Sequence, residues 1–96
     1  MSALRALELK VESDTVKQAI KHGWKVRKLM FVGVRGAPDR LFGKEGESVL
    51  IEFKRDGEVP GLQQLRRHVE LRDVFGFNVH WTDSYAEACA ILGIPT

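Results

Sequence analysis

Two carboxylates and a lysine are spaced so that a β-hairpin would bring them together. Asp39 follows Pro38, and Glu52 and Lys54 lie thirteen and fifteen residues beyond Asp39. Between them, two short apolar runs flank the polar loop 44–47, a pattern that predicts strand, turn and strand. The chemistry open to these three side chains therefore depends on how the two strands pair.

If Gly43 pairs with Ser48 across the loop, counting outward along an antiparallel ladder places Asp39 opposite Glu52. Their Cβ atoms would then be roughly 5 Å apart on one face of the hairpin. Lys54 lies two residues beyond Glu52 and points the same way, because side chains alternate along a strand. The sequence thus predicts that two acids and a lysine converge on one spot.

Two carboxylates this close repel each other in a half-buried place unless a cation lies between them. The ligands on offer are oxygens, namely the carboxylates, a main-chain carbonyl such as that of Phe53, and water, and these suit Mg²⁺ or Mn²⁺ better than zinc. Such a cation lowers the pKa of a bound water and offsets charge as a phosphodiester is attacked. The alternative is a surface hairpin on which Asp39, Glu52 and Lys54 are merely solvated.

These motifs resemble a known nuclease superfamily. Pro38-Asp39 followed by Glu52-Phe53-Lys54 is similar to the PD-(D/E)XK signature, and the stretch 33–41 resembles specifically its virus-type replication-repair nuclease (VRR-NUC) branch. The resemblance runs in order from about residue 12 to residue 84. It implies a single α/β domain over residues 1–96, with a restriction-endonuclease-like core of the order αβββαβ(α) and a mixed sheet.

The resemblance also implies roles for individual residues. The groups implied at the metal are Glu12, Asp39, Glu52 and the Phe53 carbonyl. Lys54 would lie near the nucleophilic water, and Gln64, in the first turn of a helix, would assist at the same site. Taken together, these residues imply a metal-dependent nuclease that hydrolyses DNA phosphodiester bonds.

Three of these assignments leave alternatives open. Glu12 matches the family only by position, so it could instead stabilise a helix N-terminus, with Asp14 as a stand-in at the site. Gln64 matches better than Gln63, although either could be a surface glutamine. Lys28 lies where the family usually has a lysine, but a surface lysine that extends its ammonium group into solvent explains it equally well.

Composition indicates a soluble globular chain with a local positive surface. Its 96 residues are 44% hydrophobic and 29% charged, with a net charge of only +2. Basic residues nevertheless cluster in sequence around the predicted site, as a polyanion-binding surface requires. They are Arg35, Arg40, Lys44, Lys54, Arg55, Arg66, Arg67 and Arg72.

The expected setting is the cytoplasm of a bacterial cell, with the chain encoded by a phage or by the bacterium. A lone Cys89 cannot form an internal disulfide, and no apolar run approaches the ~20 residues that span a bilayer. No glycine loop of the nucleotide-binding type is present. We therefore expect no membrane and no nucleotide cofactor.

Hydrophobic periodicity predicts the remaining elements. In order, these are a helix over 12–22, a strand over 24–32, the hairpin, a helix from Pro60 to Gly76, a strand over 77–81 and a helix over 84–92 that begins with a capping box. Residues 1–11 fit a strand and a helix equally well. The apolar end of the segment 24–32 indicates a strand that enters a covered sheet.

Two further expectations concern packing. The helix after Pro60 should turn Leu62, Leu65, Val69 and residues 71–74 towards the sheet. His22, His68 and His80 are expected to be structural, because none has a cysteine or acidic partner at metal-ligand spacing in the sequence.

The substrate and the assembly are expected to match each other. A chain this small has no room for a base-reading domain, so we expect it to recognise DNA shape, and four-way junctions in particular, as a homodimer. The segments expected to meet in the dimer are the fourth strand with the last helix, and residues 1–11. The rival functions are a non-catalytic nucleic-acid-binding module and a restriction-type nuclease that acts on linear duplex.

Overall fold

A four-stranded mixed sheet forms the centre of the computed structural model, which describes residues 3–95, with side chains from residue 8 onward. The elements are α1 (Ala3–Lys21), β1 (Lys25–Lys28), β2 (Arg40–Lys44), β3 (Glu47–Phe53), α2 (Leu62–Asp73), β4 (Asn78–Thr82) and α3 (Tyr85–Ile91). The strand order is β1-β2-β3-β4, with β4 parallel to β3 and the other pairs antiparallel. The predicted α/β class and element order are confirmed.

The hairpin of β2 and β3 has the predicted register. Gly43 pairs with Ser48, and Arg40 with Ile51. The ladder continues to Lys44 and Glu47, so the connection is the two-residue turn 45–46 rather than the predicted four-residue loop. Both turn residues have positive φ, 50° and 84°, as a tight turn matched to strand twist requires.

The two faces of β3 are covered unequally. Val49, Ile51 and Phe53 point into the main core with residues of α1 and α3, such as Ala19 and Ala88. On the opposite face, a second cluster has only three buried members, and these are Leu50, Leu71 and Val79. Helix α2 covers that face together with Leu29 and Phe31 from the segment after β1, and Glu52 lies between α2 and the sheet.

Two predicted boundaries differ from the structure. Helix α1 begins at Ala3, which settles the ambiguity of residues 3–11 in favour of helix, while residues 1 and 2 lie outside the described part. Strand β1 ends at Lys28, so the prediction of a buried strand to residue 32 is wrong: Met30 and Val32 are 85% and 95% exposed. The neighbouring strand begins only after Pro38, which has no N–H to donate to a ladder.

The predicted inward face of α2 is also wrong in part. Leu62, Leu65 and Val69 are 65%, 40% and 50% exposed, whereas His68 and Leu71 are buried. The helix is rotated so that polar side chains at its N-terminal end meet Glu52. Apolar periodicity could not reveal this rotation, because the inner face of α2 is itself partly polar.

The C-terminal elements follow the sequence signals. Ser84 caps α3 by accepting a hydrogen bond from the Glu87 N–H at 3.1 Å, which confirms the predicted helix start. Across residues 3–95, no helix is both long and apolar enough to span a membrane.

Candidate active site

Asp39 is held at the mouth of the hairpin by main-chain contacts on both sides. Its N–H donates to the Ile51 carbonyl at 3.1 Å, which continues the β2–β3 ladder by one residue. Its Oδ2 accepts a hydrogen bond of 2.7 Å from the Phe53 N–H. The Asp39 carboxylate is therefore fixed beside the end of β3, next to Glu52, as the register predicted.

Glu52 is 2% exposed, and each of its carboxylate oxygens has a neighbour. Oε2 accepts a hydrogen bond of 2.6 Å from Gln64 Nε2 and lies 3.5 Å from Lys54 Nζ. Oε1 lies 3.4 Å from His68 Nε2. A buried carboxylate this well supplied with donors keeps a defined orientation.

Lys54 and Gln64 both lie at the site, where the sequence placed them. The Lys54 side chain is 13% exposed and also lies 3.8 Å from Glu58. Gln64 Oε1 accepts a hydrogen bond of 2.9 Å from the Gly61 N–H, which caps α2 and leaves the amide NH₂ to face Glu52. Gln63 is exposed, so the geometry favours Gln64 between the two candidates.

Glu12 lies in the interior of α1, more than two turns from its start. A role in stabilising the helix N-terminus does not apply there, because the helix dipole acts within the first turn. Glu12 Oε2 instead accepts a hydrogen bond of 2.5 Å from Arg40 Nε. Asp14 is not a substitute, because it faces a different cleft, which it lines with Asp56 and Tyr85.

Negative charge accumulates around Asp39. Burial above all, together with the charges of Glu52, Glu12 and Glu8, raises the pKa of Asp39 from its ordinary value of 3.8 to about 6 against the opposing hydrogen bond from the Phe53 N–H. Sequence reasoning missed Glu8. The signal was present, since Glu8 lies one turn before Glu12, but it became readable only once α1 was known to include residues 3–11.

The donor set fits a hard divalent cation. Asp39 and Glu52 offer carboxylate oxygens, and the Phe53 carbonyl adds a main-chain oxygen at the same strand end. Within the described residues, no three His, Cys, Asp or Glu side chains converge on one ion position. Glu12, in particular, is engaged by Arg40.

A loop packed on α2 closes one side of the site. Gly36 has φ 87°, and a Cβ placed on it would lie only 3.1 Å from the Gln63 carbonyl oxygen and 3.3 Å from Gln64 Cα. Arg67 Nε donates to the Arg35 carbonyl at 3.0 Å and ties the same loop to the helix. The loop that contains Gly36 is therefore closely packed against the first turns of α2.

The predicted DNA-binding residues are distributed unevenly around the site. Arg40 lies beside Asp39, while Arg55 pairs with Glu58 at 3.0 Å on the connection after β3. Arg66 and Arg67 lie on α2, where they line a shallow pocket. Lys28 lines a cleft with Glu12 and Arg40.

Lys44 does not join this group. It lies at the far end of β2, about 17 Å from Asp39 along the strand. Its ammonium group lies 6.0 Å from the centre of the Trp24 ring. The positive charge near the site therefore comes from the arginines rather than from Lys44.

His68 was expected to be structural, because no acidic residue lies at metal-ligand spacing from it in the sequence, but the fold brings an acidic side chain to it. Its side chain is 2% exposed, and Nε2 faces Glu52. Its spacing of one helical turn from Gln64 was visible in the sequence. The sequence did not show which face of α2 turns inward.

The comparisons with known proteins bear on the fold and on the family. No family profile matches the chain. A curated relative, "Putative nuclease p44" of Acyrthosiphon pisum secondary endosymbiont phage 1, is 37% identical over 62 residues, which cover 64% of this chain and 67% of the relative. A solved structure described as "VRR_NUC domain" superposes with a TM-score of 0.80 at 30% identity and covers 90% of this chain and 94% of that one.

Fold and site together define a nuclease domain with a mixed α/β core. The chain belongs to the VRR-NUC family. Membership in a nuclease family implies hydrolytic cleavage of nucleic acid.

Proposed function

We propose that this domain is a divalent-metal-dependent, structure-specific DNA endonuclease that resolves four-way junctions as a homodimer. One observation carries the catalytic part: Asp39 and Glu52 lie side by side at the end of the hairpin, where burial and, to a smaller extent, neighbouring carboxylates raise the pKa of Asp39 to about 6. Bare carboxylates in that arrangement repel phosphate. A bound cation would turn the same arrangement into a phosphate-binding centre.

Asp39, Glu52 and the Phe53 carbonyl would hold Mg²⁺ or Mn²⁺. When bound, the cation supplies charge stabilisation for the phosphodiester and lowers the pKa of the attacking water. Glu12 is the third candidate ligand. If a DNA phosphate replaced Glu12 on Arg40, the Glu12 carboxylate would become available to the site.

The other residues at the site have separate tasks. Lys54 is positioned by Glu52 and Glu58, so its ammonium group can orient the nucleophilic water or the scissile phosphate. Gln64 holds Glu52 through its NH₂ group while its carbonyl is engaged by Gly61. The carboxylate and the amide are therefore arranged before substrate binds, which removes a cost of ordering them during the reaction.

A second copy of the chain is the proposed occupant of the exposed apolar surface beside α2. We call this surface the α2 apolar face. It comprises Phe31, Val34, Phe75 and Phe77, which line one cleft with Leu71 of α2. Among the described residues, the cluster between α2 and the sheet has only three buried apolar members, so additional apolar burial here would stabilise the domain.

The segments first expected at the dimer interface are less suitable. Helix α3 directs Ala88, Cys89 and Leu92 into the main core, which leaves it little apolar surface to offer. For residues 1–7, side chains lie outside the described part of the chain. The α2 apolar face replaces these segments in the proposal.

Junction preference follows from this assembly. Two active sites related by a two-fold axis match the approximate two-fold symmetry of a four-way junction. A non-catalytic binding module would not require the buried Glu52, whose charge opposes phosphate binding.

The test is cleavage of a junction, a flap and a linear duplex of common sequence, with Mg²⁺, Mn²⁺ or EDTA. We expect metal-dependent cutting with the junction fastest, and loss of cutting in Glu52→Gln with the fold retained by circular dichroism. Cleavage in EDTA, or full activity of Glu52→Gln, would refute the metal site. Equal rates on all three substrates would leave a general nuclease.

The assembly is tested separately by light scattering at micromolar concentration. The wild-type chain should be a dimer, and Phe75→Glu, which places a charge on the α2 apolar face, should be a monomer. Lys25→Glu, on the exposed edge strand β1, is the matched control and should remain dimeric. A monomeric wild type, or a dimeric Phe75→Glu, would exclude this interface.

A further inference from the structure

We propose that His68 is a positioning residue that fixes the Glu52 carboxylate for metal binding, an inference that rests on the proposed metal site. His68 lies on α2 one turn beyond Gln64, and both side chains reach Glu52. Gln64 Nε2 lies 2.6 Å from Oε2, and His68 Nε2 lies 3.4 Å from Oε1. Two residues of one helix thus contact the two oxygens of one carboxylate.

The contact between His68 and Glu52 is strengthened by burial. His68 and Glu52 are each 2% exposed, so water cannot substitute for the imidazole on that side of the carboxylate. A hydrogen bond to a charged group in such surroundings is stronger than one in water, and loss of a partner is correspondingly costly. Because Glu52 accepts, His68 would carry its proton on Nε2 and donate.

The orientation of α2 supports the same assignment. With Gln64 and His68 turned inward, Leu65 and Val69 remain 40% and 50% exposed. A helix selected for core packing alone would be expected to bury those apolar side chains and expose the polar ones. The structure therefore shows a helix that presents polar side chains to Glu52 at the expense of apolar burial.

The chemical consequence is control of carboxylate rotation. With Gln64 on one oxygen and His68 on the other, rotation of the Glu52 carboxylate about its last torsion is restricted, so its remaining lone pairs keep a constant direction. Residues that orient a metal-ligating carboxylate typically change metal affinity or activity by about 10–100-fold when they are replaced. A histidine that merely fills space would not affect metal affinity in this way.

The test compares His68→Gln with His68→Asn, both neutral amides. A glutamine amide reaches about as far as Nε2 of histidine, whereas an asparagine amide ends one bond shorter and would not reach Glu52. We expect His68→Gln to keep Mn²⁺ affinity, measured by calorimetry, within a few-fold of the wild type. His68→Asn should weaken the affinity by about 10–100-fold.

The control is His80→Gln, because His80 contacts Asn78 away from the site. It should leave Mn²⁺ affinity unchanged. Equal affinities in His68→Gln and His68→Asn would overturn the positioning role and leave His68 as a core residue. A wild-type chain that neither binds Mn²⁺ nor cuts DNA would instead refute the proposed function, so the two failures are distinguishable.

Discussion

Replacing Asp39 by asparagine should stabilise the metal-free protein while it removes metal binding. Asparagine can still accept the hydrogen bond from the Phe53 N–H through its amide oxygen, so the local structure has no reason to change. What disappears is a negative charge surrounded by Glu52, Glu12 and Glu8. Repulsion in the absence of metal is therefore reduced, and one ligand of the proposed site is lost.

The size of the effect follows from the pKa of Asp39. A rise from 3.8 to about 6 corresponds to at most about 3 kcal/mol at neutral pH. Because Asp39 is only half-buried, solvent screening reduces this to about 1–2 kcal/mol. For a domain of this size, each kcal/mol shifts the melting temperature by roughly 4–8 °C. We expect an increase of at least about 5 °C.

The pH dependence has a definite sign. The folded state binds the Asp39 proton more tightly than the unfolded state, so ionisation of Asp39 destabilises the fold as pH rises from 3.8 to about 6. The advantage of Asp39→Asn should be complete above pH 6 and absent below pH 3.8, where aspartate is protonated in both states. Thermal denaturation in EDTA at a fixed protein concentration measures this difference.

Bound metal should make the wild type more stable than Asp39→Asn. The wild type gains stability from a ligand that binds only the folded state, about 2.7 kcal/mol at one hundred times the dissociation constant, which exceeds the advantage of about 1–2 kcal/mol that Asp39→Asn has in EDTA. Asp39→Asn should gain almost nothing, and Asp56→Asn, at an exposed aspartate, should behave as the wild type. If Asp39→Asn is no more stable than the wild type in EDTA, or responds equally to Mn²⁺, the charge-cluster argument is wrong.

Two further predictions use matched pairs of variants. Lys54→Ala should lower the single-turnover cleavage rate by about 100-fold or more, because Lys54 contacts Glu52. Arg55→Ala should mainly weaken DNA affinity and reduce the salt dependence of that affinity by about one unit of slope. If both variants change only DNA affinity, equally and in a salt-dependent way, Lys54 is an ordinary phosphate contact. Gly36→Ala should destabilise the fold by at least about 1 kcal/mol more than Gly33→Ala, measured by denaturant unfolding. Both glycines have positive φ, but only Gly36 is packed against α2. Equal losses of unfolding free energy in the two variants would show that the loop packing is unimportant.

Local sequence signals determined the hairpin and its site. Pairing across a short turn is set by residues close in the chain, so the register that brings Asp39 beside Glu52 and Lys54 could be counted from the turn. The cap of α3 at Ser84 was readable for the same reason, since its partner is three residues away. These features depend on chemistry within a few residues.

Tertiary structure decided the contacts made between distant segments. Apolar periodicity predicted the wrong inner face of α2, because the polar contacts of Gln64 and His68 with Glu52 compete with the burial of Leu65 and Val69. Such contacts join residues far apart in the chain, and their energies depend on burial that only the folded state creates.

Contacts between distant segments also decide the structure of residues 3–11 and the charges around Asp39. Residues 3–11 fit helix and strand equally well as a pattern, and packing of α1 against the rest of the fold resolves that choice. Only then do Glu8 and Glu12 reach the site, with Glu12 paired to Arg40 across 28 positions of sequence. The sequence by itself determined which groups could do the chemistry, and the packing of helices on the sheet decided which charges surround them.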